Sequence, residues 1–585
     1  MKLQSQDAEV FASYPRAIAH MWHQLHSNRL GLILGSGVSK PLGYPDWQEL
    51  IDRIAGDGSI RGRSLIKTQR GKALPLQAQI LFERFCERSQ RRLDLRGVPE
   101  SEANRILRAA WRNLVHKCLY RGIPKTEAAL TNTVYGHFAE VVKKTPMTVN
   151  YNFDDTLERL LLELRSPEEE QRTRGFETVV DARLQFKLNS AIIYHPNGFL
   201  PKNLLDGPSD DVVLTEGALG DQLIESMGGH YSALINHLSK NTCLLLGLSL
   251  EDQTLRHLLR QHARMNPGHV HYYVRFVKSH RPSADVCQAE ADANFAVFNL
   301  VTLFLDQRGL ASLGKLLSAQ KRDVRDVADQ VHKRTSYCFY LTGVPGTGKT
   351  TTTSYFRNLI TYDEWLEERP ADLGKPHTVL AREQRKAVDD WIMEQIHVKN
   401  NALTEDAQSD PIGIRFVDRC LIDAVVFSKS GRWPQKASAI KATIAKGKSR
   451  QVVHGGKVIL LLGDPKEMAI RVKSRNKRTT PKYTDELQQA MKSLYRSGQG
   501  VNHLDVVGDT VNEVVKKVAR IVHLDDYQEC NLQNVLNRVE AGTLAPPKQK
   551  RDTRLLSLSP KRGTATHSAR GRVASHVSPR RGRHR

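Results

Sequence analysis

The chain has no C-x-x-C pair: its seven cysteines, Cys86, Cys118, Cys243, Cys287, Cys338, Cys420 and Cys530, are scattered. That excludes the usual four-cysteine zinc clip and predicts reduced, mostly buried thiols. No apolar run approaches the eighteen or so residues needed to span a bilayer, and the opening MKLQSQDAEV lacks a signal-peptide core. No membrane partner is expected, and the expected location is cytoplasmic. What is present is ordinary globular material, 40% hydrophobic, in 585 residues. That length is too great for one core and predicts about two to four domains. The formal charge of +24 is uneven: residues 541–585 hold twelve Lys plus Arg against one Asp, so nearly half the excess lies in the last stretch.

Residues 29–47, RLGLILGSGVSKPLGYPDW, open with an apolar run from Leu30 to Leu34 that reads as a buried strand of a parallel sheet. The run breaks into Gly35-Ser36-Gly37, and helix-compatible sequence resumes at Trp47. Strand, glycine turn and helix in that order describe a phosphate cradle, because glycines let N–H groups approach a pyrophosphate and a helix N-terminus adds a positive dipole. A tight βα connection has the same local pattern. Residues 1–28 read as a helical lead-in. Residues 60–130, rich in Arg and Lys, read as a helical insertion with Leu107, Ala110, Trp111, Leu114 and Cys118 on one buried face and its charges solvated.

Three further apolar runs end in small or polar residues. Met147-Thr148-Val149 runs into Asn150-Tyr151-Asn152-Phe153-Asp154-Asp155, and Ala191-Ile192-Ile193-Tyr194 into His195-Pro196-Asn197-Gly198. Cys243 to Leu246 runs into Gly247-Leu248-Ser249. Alternate residues of a strand share a face, so Asn150, Asn152 and Asp154 point toward one site, unless they form an Asx-rich turn capping the helix that follows. Ligands of open α/β sheets gather at such strand ends.

GSGVSKPLGYPDW, NYNFDD, YHPNGFLP, VVLTEG and LLLGLSLED, in this order between residues 35 and 252, resemble the sirtuin-like NAD-hydrolase family of bacterial antiphage defence. The resemblance implies a Rossmann-like sheet binding NAD+. It implies Gly35, Ser36, Gly37 and Ser39 near the pyrophosphate and ribose, Pro45 and Asp46 on the loop over the nicotinamide end, and Gly247 and Ser249 at the adenosine ribose. The family's Asn-x-Asp spacing falls on Asn152-Phe153-Asp154, which assigns Asn152 to orienting water or ribose hydroxyls and Asp154 to the nicotinamide amide. Cleavage of the nicotinamide–ribose bond, through an oxocarbenium-like state, is the implied chemistry. Where the family has His-Gly this chain has Asn197-Gly198, and an Asn side chain is no proton acceptor. Two readings of His195, two positions earlier on the same face, stand side by side: a replacement general base, or a structural histidine. Protein-deacylating sirtuins carry a small zinc module built from two cysteine pairs. Its absence favours hydrolysis of NAD+ to nicotinamide and ADP-ribose over deacylation.

A second machine starts after the polar stretch KRDVRDVADQVHKRT. The run Tyr337 to Leu341 leads directly into Gly343-Val344-Pro345-Gly346-Thr347-Gly348-Lys349-Thr350, a complete G-x-x-x-x-G-K-[ST] between strand and helix. Backbone N–H groups of Gly343, Gly346 and Gly348 would cradle ATP phosphates, Lys349 would meet the β/γ-phosphates, and Thr350, followed by Thr351, would bind Mg²⁺. Strands at Gly413–Val417 and Lys457–Leu462 end in Asp418 and in Gly463-Asp464, and RVKSRNKR follows. This layout resembles the nucleoside and nucleotide kinase group of P-loop proteins, which implies Asp418 as the acidic residue that serves as base or metal partner and Arg471 and Arg475 as lid arginines. A solvated basic helix is the alternative for those arginines, as charged helix faces are for Asp363-Glu364 and Asp389-Asp390.

The expected architecture is α/β throughout: a sirtuin-like domain with helical insertion over 1–320, a linker over 321–335, a P-loop kinase-like domain over 336–540, and a disordered basic tail over 541–585. Expected partners are small-molecule nucleotides, with nucleic acid reached only through the tail. Family resemblance adds an antiviral purpose, a phage-derived trigger and homo-oligomerisation. Three functional readings follow: an NAD+ glycohydrolase governed by a nucleotide-binding module, a nucleoside or nucleotide kinase with a non-catalytic NAD-sensing domain, and a non-catalytic NAD-responsive scaffold.

Overall fold

The computed structural model describes residues 3–123, 130–164, 175–180, 191–209, 212–227, 232–250, 252–277, 282–373, 375, 379–446, 452–474 and 479–545. Seven strands form the first sheet: β1 Leu30–Leu34, β2 Met147–Asn150, β3 Phe176–Val179, β4 Ala191–Tyr194, β5 Thr242–Leu246, β6 His271–Phe276 and β7 Leu300–Leu305. Their order is β3-β4-β2-β1-β5-β6-β7 and every pairing is parallel. Chain order reverses between β1 and β5, which pair in register from Leu30↔Thr242 to Leu34↔Leu246. A parallel sheet opens a crevice at that reversal, beyond the strands' C-terminal ends. The apolar runs of β1 and β5 are buried along their whole length, as both faces of a covered parallel sheet require.

The insertion is helical, with helices Arg63–Gln69, Leu74–Arg92 and Glu100–Leu119. Leu107, Trp111, Leu114 and Cys118 are buried, and Ala110 packs partly buried against the same cluster.

Five strands form a second parallel sheet: β8 Ser336–Gly343, β9 Ile360–Tyr362, β10 Gly413–Asp418, β11 Lys457–Leu462 and β12 Val501–Asp505, in the order β12-β11-β8-β10-β9. β8, which feeds the glycine-rich loop, sits between β10 and β11.

The two sheets share a core. Helix Pro15–His26 buries Ile18, Met21, Trp22 and Leu25 in one hydrophobic cluster that includes Leu32, Tyr272 and Leu303 of the first sheet and Phe339, Ile414 and Phe416 of the second. Its polar groups reach both ways. Trp22 Nε1 donates to Ala319 O (3.0 Å), Gln24 Nε2 to Asn358 O (2.7 Å) and Arg16 Nη2 to Asp525 O (2.5 Å), and His23 lies 3.0 Å from the Asp410 carboxylate. The first 28 residues are therefore central to the packing, beyond the lead-in expected of them. Within 321–335, expected as linker, helix Lys321–Gln330 turns Val324, Val327 and Ala328 into the same cluster. Of the expected tail, Leu544 is buried against the second domain's core, and residues 546–585 lie outside the described residues.

Candidate functional site

At the crevice, β1 ends in a loop tied to β5. Gly35 N–H donates to Leu246 O and Gly37 N–H to Gly247 O, both at 2.9 Å, while the N–H groups of Val38 and Ser39 turn back on Gly35 O and Ser36 O. Neither glycine has room for a side chain: a Cβ on Gly35 would lie 2.5 Å from Leu248 Cδ2, and one on Gly37 2.9 Å from Gly247 Cα. Gly247 takes a left-handed φ of +67°, which glycine adopts without strain. Gly37 and Ser249 are exposed on the lip, whereas Ser39, Asn152 and Asp154 are buried below it.

These buried groups form one directed chain of hydrogen bonds. Asn152 Nδ2 donates to Gly35 O and to the Tyr135 hydroxyl, each at 3.0 Å. The Tyr135 O–H donates to Ser39 Oγ (2.7 Å), and the Ser39 hydroxyl donates to Asp154 Oδ2 (2.9 Å). Asp154 Oδ1 accepts from Thr156 N–H (3.1 Å). Burial raises the Asp154 pKa, and the bonds from Thr156 and Ser39 oppose that rise. Both hydrogens of the Asn152 amide nitrogen are thus committed. Its Oδ1 has no protein partner among the described residues and is left as an acceptor.

Both ring nitrogens of His195, the candidate general base, are engaged. The residue is fully buried, with Nδ1 2.8 Å from Asn152 O and Nε2 2.8 Å from Glu158 Oε1. The Asn152 carbonyl only accepts, and so does Glu158 when ionised; with that carboxylate charged, both ring nitrogens donate and the imidazolium has no lone pair for an incoming water. Burial, the largest single influence, lowers its pKa, but the Glu158 carboxylate, the Asn152 carbonyl and Asp154 together hold it above the usual histidine value. Of the two readings of His195, the geometry favours the structural one: it braces the Asn152 backbone. Asn197 is also buried, its Oδ1 3.4 Å from Gln222 Nε2, which donates to Pro196 O as well (2.8 Å). Pro45 is buried. Asp46 caps helix Trp47–Ala55 through Glu49 N–H (2.9 Å) and pairs with Lys40, so local structure occupies the carboxylate expected over the nicotinamide end.

In the second sheet, Gly343, Gly346 and Gly348 hold φ values of +153°, +93° and +91°, which the sharp loop between β8 and helix Lys349–Thr353 requires. The Lys349 ammonium is buried and donates to Gly343 O (2.8 Å) and Val344 O (3.1 Å) of its own loop. Burial, with Arg419 nearby, pushes it down to about 7 against the pull of Asp418, Asp423 and Glu364. Asp418 ends β10, beside the loop strand in register with Leu341, and is buried with neither carboxylate oxygen hydrogen-bonded among the described residues. Thr350 and Thr351 are exposed at the start of the helix. Arg471 is exposed and pairs with Glu467 of its own helix at 3.3 Å, the arrangement of a solvated face; Arg475 lies outside the described residues. Asp389 and Asp390 are likewise exposed, while Glu364 pairs with Arg419 at 2.7 Å.

Four structural partners had no local signal to single them out. Tyr135 joins Ser39 to Asn152, and Glu158 answers His195. Lys399 Nζ ties Glu364 O (2.8 Å) to Asp418 O (3.0 Å). Asp423 accepts from Thr342 Oγ1 (2.7 Å) and the Tyr495 hydroxyl (2.6 Å) behind the loop. Among the described residues no helix is long and apolar enough to cross a membrane.

Residues 146–298 match the family model described as a SIR2-like domain, and residues 338–510 match the one described as an AAA domain. The chain thus carries a SIR2-like domain, a class that uses NAD, followed by a P-loop NTPase-like domain, a class that binds nucleotides. No curated protein matches the chain.

Proposed function

We propose that the chain is an NAD+ glycohydrolase whose activity is governed by ATP and Mg²⁺ in the P-loop domain. The observation that carries this reading is the Asn152 amide, pinned by Gly35 and Tyr135 so that only its Oδ1 remains open, beside the glycine turn of a SIR2-like crevice. An acceptor of that kind aligns a water or a ribose hydroxyl and does not deprotonate it. The chemistry tolerates this, because departure of nicotinamide precedes most of the bonding to water in an oxocarbenium-like transition state. The C1′–N bond breaks and nicotinamide leaves with the electron pair. The water oxygen bonds C1′, and its proton passes to solvent. In the P-loop domain the uncommitted Asp418 carboxylate and Thr350 would hold Mg²⁺, and Lys349 would leave its loop carbonyls for the phosphates. The antiphage purpose that the resemblance implies, NAD+ depletion on a phage-derived trigger with assembly of several copies, belongs to the same reading.

A second reading is a nucleoside or nucleotide kinase with an NAD-sensing first domain. It is favoured by the full engagement of His195, together with an Asn at 197, which leaves neither of those two positions to supply a base beside Asn152. Incubating purified protein with NAD+, with and without ATP and Mg²⁺, separates the two. Under the first reading nicotinamide is released and Asn152→Ala abolishes the release. Absence of release under every condition, with ADP formed only when a nucleoside is added, would establish the second reading instead.

A further inference from the structure

Helix Gln253–Met265 runs between the two sites. Its first turn follows Gly247-Leu248-Ser249 and is capped by Asp252, whose Oδ1 accepts from Leu255 N–H at 2.7 Å. Gly247 in turn is locked to the crevice loop: its carbonyl takes the Gly37 N–H, and a Cβ placed on it would lie 2.6 Å from Val38 N. Thirteen residues at 1.5 Å each carry the helix about 20 Å. Along the way Leu255, Leu258, Leu259 and Ala263 are buried, so the helix cannot bend or fray independently of the sheet it covers.

Its far end meets the P-loop domain. Arg264 O accepts from Asn512 Nδ2 at 3.2 Å. Three residues past the helix, Gly268 is pressed on Tyr355: a Cβ there would lie 2.6 Å from the Tyr355 carbonyl oxygen. Tyr355 belongs to the short 3-10 turn Ser354–Phe356, which continues directly from helix Lys349–Thr353 of the glycine-rich loop. Lys349 donates to two loop carbonyls and must release both to meet a phosphate. Lys349 and Tyr355 thus lie on one uninterrupted helical segment, the path by which a change at the loop would reach Gly268.

We propose that helix Gln253–Met265 couples nucleotide binding at Lys349 to NAD+ binding at Gly247–Ser249, with the Gly268–Tyr355 backbone contact as its input. The inference rests on the reading of the crevice as an NAD+ site and specifies how that site is regulated. Linkage makes the coupling reciprocal: whatever factor the nucleotide imposes on NAD+ affinity, NAD+ imposes on nucleotide affinity.

Calorimetric titration of the full chain tests it, with NAD+ titrated in the presence and absence of a non-hydrolysable ATP analogue plus Mg²⁺, and the converse. The expected result is a change in NAD+ affinity of about tenfold, with the same factor in the converse titration. Gly268→Ala, which sets a methyl group against Tyr355, is expected to bring the factor to within about twofold of unity while each ligand alone binds as in the parent. Asn512→Ala, a surface change that leaves the core untouched, is expected to reduce it in the same direction and serves if Gly268→Ala does not fold. If both ligands bind the parent with no mutual effect, or if the factor survives both substitutions, the inference is overturned while the NAD+ site stands. If NAD+ does not bind at all, the reading of the crevice itself falls, and the inference with it.

Discussion

Acidification to pH 6.0 should destabilise the chain, and the number of protons involved can be worked out from six side chains. His20, His237, His262, His269, His271 and His523 are all buried, and burial is the largest cause lowering the pKa of each. For three of them the lowered values are about 4, 4 and 3 at His237, His262 and His523. Hydrogen bonding fixes the neutral form: Cys243 N–H donates to His271 Nδ1 (3.0 Å), so His271 Nε2–H donates to His262 Nδ1 (3.1 Å). His20 Nδ1 sits 2.8 Å from the Tyr272 hydroxyl, and its ring lies 5.4 Å from that of His523. The positive neighbour Arg16 further opposes charge on His523. Each of these histidines is neutral when folded and protonates near pH 6.5 when unfolded, so its contribution is full above that pH and is lost as pH falls below it. Between pH 7.5 and 6.0 the loss is about 0.8 kcal/mol each, or about 5 kcal/mol for the set, a large part of the roughly 5–15 kcal/mol typical of a folded domain. His195 works in the other direction: its raised folded pKa makes its contribution full below pH 6.5 and lost as pH rises through the folded value, which offsets at most one proton of the six. Urea denaturation followed by tryptophan fluorescence at pH 7.5 and 6.0 measures the difference. His523→Phe should shrink the difference between the two pH values by about 0.8 kcal/mol, the share of one histidine. Equal stability at the two pH values would refute the reasoning, because it would mean that these rings are already charged or hydrated in the folded chain.

Three further outcomes are expected. Tyr135→Phe removes the hydroxyl between Ser39 and Asn152 and leaves one buried donor, on Asn152, and one buried acceptor, on Ser39, unpaired; it should cost about 1–3 kcal/mol in denaturant titration and weaken NAD+ affinity while leaving ATP affinity unchanged. Glu158→Ala strands the buried His195 imidazolium and should cost about 3–5 kcal/mol, whereas His195→Gln combined with Glu158→Gln should recover much of that loss. ATP with Mg²⁺ should raise the melting temperature of the parent, and Lys349→Ala should abolish that rise without lowering the ligand-free melting temperature, because the ammonium it removes is buried and disfavoured there.

Much of the architecture was legible because it is written locally. Leu30–Leu34 and Tyr337–Leu341 are uninterrupted apolar runs followed by glycine turns, and they became the strands that flank both sites. The order of strand ends in the first domain pointed to one crevice, and β1 meets β2 and β5 there. β3, β6 and β7, the last two with His271 and Thr302 inside them, and the short β9 and β12 are not among the strands read from the sequence. Side-chain partnerships were beyond reach for a different reason. Asn152 meets Tyr135 across 17 positions, His195 meets Glu158 across 37, and Asn152 reaches Gly35 across 117, and none of these pairings leaves a periodic trace. His195 illustrates the consequence: its place at the end of β4 is legible in the sequence, but whether its ring is a base or a brace depends on Glu158. The 321–335 stretch misled through composition, since its many charges occupy the outer face of a helix that buries only Val324, Val327 and Ala328.

Helix Pro15–His26 bears on how such a chain can be rearranged. Because Trp22 bonds to Ala319, Gln24 to Asn358 and Arg16 to Asp525, one amphipathic segment completes the packing of two sheets whose own sequences begin hundreds of residues apart. Neither half is an exchangeable cassette. Recombination that kept the P-loop segment but replaced the first thirty residues would strip the apolar cover from Phe339 and Phe416, and recombination that kept only the first 320 would leave that helix with an uncovered apolar flank. The two domains of this chain would have to evolve as a pair.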